Sequence, residues 1–227
     1  MKLLAVDSAA SLCAACVWDT AAGHELGRSV ADIGKGHAER LMATIAEALQ
    51  AAAADYSDIG ALAVSTGPGS FTGVRVGVST VRGLALALKI PAIGVTTLDA
   101  IAAEAGSAFP IRPVMVAIEA GRGDLYVALY DASGKMSYDA RVSNFADALA
   151  LAVANAPVLC GTAAGKIAEA ARPLVLDIGP AIATADIATY ARLAAERGPS
   201  SIKPAPFYLR EPDAKPQAGF ILPRSPS

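Results

Sequence analysis

One stretch limits this chain more than any other: Ser65-Thr66-Gly67-Pro68-Gly69-Ser70-Phe71-Thr72-Gly73-Val74-Arg75-Val76-Gly77. It follows the apolar, strand-like residues 61–65 and leads into a helical run over 72–88. That run ends before Pro91, and residues 92–95 resume a strand. A strand, a tight glycine turn, a helix and a second strand form a crossover between parallel strands, so the chain must build a mixed α/β structure. Backbone N–H groups opening such a helix are unpaired and can hold a phosphate or carboxylate. No G-K-[ST] closes the run, so it is not a Walker A loop and lacks that loop's phosphate-binding lysine.

The flanking sequence extends this pattern. Short β-rich runs at 3–6, 13–18 and 25–30 precede a helix in which Ala38, Leu41, Met42, Ile45, Leu49 and Ala52 recur at three and four residues, one helical face. After a hinge near 110–113, runs at 114–118, 125–130 and 136–142 repeat the three-strand opening, with Gly134-Lys135 as a hairpin turn. Helices are expected over 144–154, 165–171 and 186–197, the last with Asp186 as N-cap and Gly198-Pro199 as its stop. Two halves that open alike point to a duplicated fold. The first lobe covers 1–106 and the second 107–212; a proline-containing, extended tail begins at 200 and is mobile over 213–227.

Composition then removes several functional classes. The 227 residues carry 19 Lys plus Arg against 21 Asp plus Glu, a net charge of −2 that does not suit a stand-alone nucleic-acid binder. Mean hydropathy is +0.44, yet no run of about 20 purely apolar residues occurs. The opening Lys2-Leu3-Leu4-Ala5-Val6-Asp7 reads as a strand and not as a secretory signal, so a cytoplasmic protein with no membrane association is expected. Cys13, Cys16 and Cys160 cannot all pair, and the C-x-x-C sits in a strand, where residues three apart point to opposite faces. The two histidines, His24 and His37, have no ligand spacing, and no H-E-x-x-H exists. Neither a metal nor a catalytic residue is assigned.

The helical run over 72–88 stands apart. Val74, Val76, Val78, Val81, Leu84, Leu86 and Leu88 leave almost no polar face, so burial nearly all round is expected. Gly73 and Gly77, four apart, allow a second helix to approach closely, while Arg75 and Arg82 share one edge.

Residues 58–65, followed by Gly67 to Gly77, closely resemble the signature of the bacterial TsaB (YeaZ) family. The resemblance continues through residues 91–99, Gly123-Asp124-Leu125-Tyr126 and Pro206-Phe207-Tyr208-Leu209-Arg210. It implies the two-lobed fold of actin, Hsp70 and sugar kinases, an α/β architecture in which each lobe is a mixed sheet flanked by helices. It also implies a role in making threonylcarbamoyladenosine in tRNA, as a non-catalytic scaffold of TsaD. TsaD, the catalytic relative, carries two metal-binding histidines at positions that correspond here to Thr97 and Ile101, which cannot replace them.

The implied partners are TsaD as a heterodimer and the ATPase TsaE, with a homodimer in isolation and tRNA contacted only indirectly. Lys203 and Arg210 in the tail are candidates for partner or tRNA contacts. The first-lobe helices would form the interface, centred on Leu41, Ile45, Val74, Gly77, Val78 and Val81. Gly77→Trp would then abolish pairing and leave the lobe folded. No cofactor is required, though weak ATP or ADP binding stays open, with Asp7, Ser8, Gly67, Gly69 and Glu119 as its candidates. Two competing classes remain: an ATP-dependent kinase or hydrolase using Asp7 and Glu119, and a metalloprotease, an old label of this superfamily.

Overall fold

A computed structural model describes residues 1–210; the expected mobile tail over 213–227 lies outside the described residues. Strands β1 (Lys2–Asp7), β2 (Leu12–Asp19) and β3 (His24–Asp32) form an antiparallel meander. Strands β4 (Ile59–Ser65) and β5 (Ala92–Val95) add in parallel, giving the order β3-β2-β1-β4-β5. The second half repeats the design. Strands β6 (Val114–Glu119), β7 (Asp124–Tyr130) and β8 (Met136–Asn144) form the meander, and β9 (Val158–Cys160) pairs in parallel with β6. The repeated order β3-β2-β1-β4 and β8-β7-β6-β9 is the duplicated fold expected from the two similar openings, and it accords with the two-lobed architecture that the family resemblance implies. The hairpin turn expected at Gly134 is present: its N–H donates to the Asp131 carbonyl at 2.9 Å, and Gly134 has φ +80°.

Helices α1 (His37–Ala51) and α2 (Phe71–Leu88) cover one face of the first sheet. Leu4, Val6, Cys13, Leu41, Ile45, Leu62, Val74 and Val81 meet there in one core. Helices α4 (Phe145–Asn155) and α5 (Ala164–Ala170) cover the far face of the second sheet. Between the sheets lie α3 (Thr97–Ala108) and α6 (Ile187–Arg197), enclosed in a core shared by both halves. Cys13 and Cys16 fall into different cores, on opposite faces of β2 as their spacing requires.

The lobe boundaries need correction. A cut between 106 and 107 falls inside the last turn of α3, and α3 packs on β6, β7 and β9 of the second sheet. In return α6 packs on β1, β2, β4 and β5 of the first. Each half therefore supplies a helix to the other. Small residues make this exchange easy: Ala100, Ala102 and Ala105 of α3 and Ala191 and Ala194 of α6 let the layers close without bulk. The Asp186 carboxylate caps α6 through the Ala188 N–H at 2.8 Å, and Gly198 ends the helix at φ +68°, both as expected.

The expectation for α2 is also overturned. Its Gly73, Val74, Gly77, Val78 and Val81 stripe is buried, but Phe71 and Leu86 are 49% and 80% exposed, so the opposite side is open. By length and composition alone α2 could cross a membrane; in this fold its inner stripe is packed on the first sheet.

Candidate functional site: a closed cleft and an open helix face

The glycine run works by contact with the turn after β1. Gly69, Gly73 and Gly77 line up against Ser8 and Ala9. A Cβ at Gly69 would strike the Ala9 carbonyl, one at Gly73 the Ser8 carbonyl, and one at Gly77 would lie 2.5 Å from Ser8 Oγ. Ser8 Oγ donates to the Gly73 carbonyl at 2.8 Å, and the Ser70 N–H donates to the Ala9 carbonyl at 2.6 Å. The glycines thus bring a helix onto a turn with no space between them. Gly67 precedes a cis peptide to Pro68 and has φ +88°, so it shapes the turn itself.

This contact decides the fate of the nucleotide-binding candidates in the first half. Asp7 and Ser8 are 1% and 0% exposed. One Asp7 carboxylate oxygen accepts the Ala9 N–H at 2.9 Å; the other accepts the Thr184 hydroxyl at 2.7 Å, and Thr184 in turn bonds the Tyr190 hydroxyl. Burial pushes the Asp7 carboxyl above the usual carboxylate range, opposed by the nearby Ser65 and Thr184 hydroxyls and the Ala9 N–H. Thr184 and Tyr190 sit over the end of β1 because α6 returns from the second half. Sequence reasoning missed both, since their only signal is a crossing that spans 177 residues. The expected placement of Asp7 at the end of the first strand is right; its expected access to a ligand is not. Gly69 is likewise occupied by Ala9.

The second half is more open. Glu119, at the end of β6, is exposed and paired with Lys166 at 2.5 Å, while its backbone N–H donates to Thr162 Oγ1 at 2.8 Å. It is remote in character from the buried Asp7, so the two acids do not form one exposed pair. Thr97 and Ile101, at the start of α3, are fully buried. Among the described residues no three His, Cys, Asp or Glu side chains gather as a metal site.

The six expected interface residues are corrected as a group. Leu41, Ile45, Val74, Val78 and Val81 are at most 3% exposed, and Gly77 is buried against Ser8, so all face the sheet. The apolar periodicity marks the inner stripe of each helix, since burial of these side chains within the chain is favoured by roughly 1.5–3 kcal/mol each. Met42, expected on the same inner face of α1, is 47% exposed. Gly77→Trp would break the first half and could not serve as a pairing test. The side chains left for a partner are the outward ones, including Met42, Ala46 and Ser79.

Residues 199–210 form a strap from α6 back along α2. The Phe207 N–H donates to the Thr66 carbonyl at 2.8 Å, and Pro204 lies against Gly94. Arg75 Nε donates to the Tyr208 hydroxyl at 2.6 Å, with its guanidinium 3.7 Å from the Phe71 ring centroid. Arg210, one of the two tail candidates for partner contact, instead pairs with Asp124 of β7 at 2.6 Å. The strap therefore touches both halves.

A family model described as "TsaD: tRNA N6-adenosine threonylcarbamoyltransferase" matches residues 31–196. The Escherichia coli "tRNA threonylcarbamoyladenosine biosynthesis protein TsaB" is 37% identical over 133 residues, covering 57% of this chain and 55% of that protein, so the matched region spans little more than half of that relative. An uncharacterized Mycobacterium tuberculosis protein is 36% identical over 85% of this chain and 84% of its own length. Among solved structures, a Pseudomonas aeruginosa protein described as similar to peptidase YEAZ superposes with a TM-score of 0.75 at 25% identity, covering 92% of this chain and 99% of that one. With the glycine-docked helix, the exchanged helices and these relatives together, the chain belongs to the TsaB (YeaZ) family within the wider TsaD family.

Proposed function

We propose that this chain takes part in tRNA threonylcarbamoyladenosine biosynthesis as a non-catalytic partner of a TsaD-type transferase, in the cytoplasm. The observation that carries the reading is the closed turn after β1. The acid that would hold a metal–phosphate group in an active relative is buried under Thr184 and Tyr190, and the glycines that would cradle phosphate hold Ser8 and Ala9. Thr97 and Ile101 supply no metal ligand in place of the relative's histidines. The chain's contribution is then a surface. The outward faces of α1 and α2, with Met42, Ala46 and Ser79, meet the transferase or, in isolation, a second copy. TsaE joins the assembly as its ATPase, and tRNA is held chiefly by the other subunits.

The test is threonylcarbamoyl transfer to tRNA by the cognate TsaD, TsaE and adenylate-forming synthase, with and without this chain. Modification that requires the chain, and stops when TsaD is omitted, is the expected result. Ala46→Arg should weaken assembly by about tenfold or more without unfolding the chain. Modification that proceeds unchanged without the chain overturns the reading. Nucleotide turnover by the chain alone, lost in Asp7→Ala, would favour the ATP-dependent enzyme in its place.

A further inference from the structure

Where α2 ends, its last turn and the strap enclose a groove of about 580 Å³ that the closed cleft and the outward α1–α2 face do not explain. Leu86, Ile90 and Pro91 form an apolar lining, and Leu86 is 80% exposed. Arg82, Lys89 and Lys203 stand around it, with no carboxylate among the lining residues. Their positive charges are not balanced within the groove. Arg28, Arg40, Arg112, Arg192, Arg197 and Arg210 are each paired with a carboxylate. Arg82, Lys89 and Lys203 make no ion pair with any described residue. Arg75, on the same edge of α2 one heptad earlier, is held by Tyr208 and Phe71.

From this arrangement we infer that the groove receives an acidic, amphipathic segment of a partner protein, whose apolar side chains cover Leu86, Ile90 and Pro91 while its carboxylates meet Arg82, Lys89 and Lys203. An exposed apolar floor calls for apolar contact, and three unpaired cations select an occupant of opposite charge. A second copy of this chain fits less well: the groove would have to find a carboxylate-rich apolar segment on a partner with the same surface. The inference is independent of the threonylcarbamoyl reading, and either can fail alone.

The probe is a fluorescein-labelled peptide of alternating Leu and Glu helical faces, titrated by anisotropy against the full chain. A Glu-only peptide of equal charge, and ATP as a competitor, accompany it. Saturable binding that weakens by about tenfold in Arg82→Glu/Lys203→Glu and in Leu86→Ser, and by less than about twofold in Lys35→Glu, is expected. Circular dichroism should show each variant folded, because all four positions are exposed. The inference is overturned by absence of binding, by equal affinity for the Glu-only peptide, or by equal weakening in Lys35→Glu. Displacement by ATP at lower concentration than unlabelled peptide would assign the groove to a small anion. Self-association of the chain that is lost in Leu86→Ser would assign it to a second copy.

Discussion

The two halves share a strand order and differ at the same place in it. In the first, the strand leaving the meander continues into α2, a helix of 18 residues whose glycine stripe lies on Ser8 and Ala9. In the second, β9 leads through Gly161 and Thr162 into α5, which has seven residues. There Gly161 comes close to Ala117 within β6 and not to the turn after it, and the acid at the strand end faces water with Lys166. One topology thus yields a sealed turn or an open one, depending on how many glycines the helix presents to the turn. Sealing turns the first of these turns into a piece of core.

The comparison breaks most sharply at Gly73. A side chain there meets the backbone of Ser8, which cannot swing away, so Gly73→Val should cost about 3 kcal/mol or more in urea unfolding. A loss below about 1 kcal/mol would mean that the turn yields and the seal is loose.

Asp7 gives the next effect, and it depends on pH. An unfolded aspartate titrates near about 3.9, and burial raises the folded value above that. The folded state therefore holds its proton to higher pH, and this favours folding at low pH. The advantage is lost as pH rises from the unfolded value through the folded one. Relative to Asp7→Asn, the wild type should lose stability over that window with a slope of at most about 1.4 kcal/mol per pH unit. Denaturation curves at a series of pH values measure it, and a constant difference would contradict a sealed carboxyl.

Smaller effects belong to the open half. Gly165 in α5 has nothing within 4 Å of where a Cβ would stand, so Gly165→Ala should stabilise by about 0.5–1 kcal/mol, opposite in sign to Gly73. Thermal unfolding would register that gain; a loss would show that α5 is as tightly seated as α2. Least of all, Glu119→Gln should change stability by less than about 0.5 kcal/mol, since it removes only an exposed ion pair. A larger cost in calorimetry would give the open turn a structural role it does not have in this comparison.

Much of this was legible in local sequence. Short β-rich runs marked both meanders, Asp186 and Gly198 marked the ends of α6, and the glycines announced a strand–turn–helix crossover. The short β9 and the alanine-rich α3 were not recognised: three residues show no period, and small side chains leave little contrast between faces. The candidate site was half legible. Asp7 stands at the end of the first strand as its position implied, while Thr184 and Tyr190 reach it only because α6 crosses back. In α2, apolar residues lie on both sides, so hydrophobicity could not tell the inner stripe from the outer one. Close contact of Gly69, Gly73 and Gly77 with Ser8 and Ala9 made that choice. Sequence by itself determined which segments form strands and helices, because φ/ψ preference, capping and periodicity act within a few residues. Tertiary structure alone decided which face turns inward and which acid loses its water, because burial depends on what the rest of the chain brings to the same place.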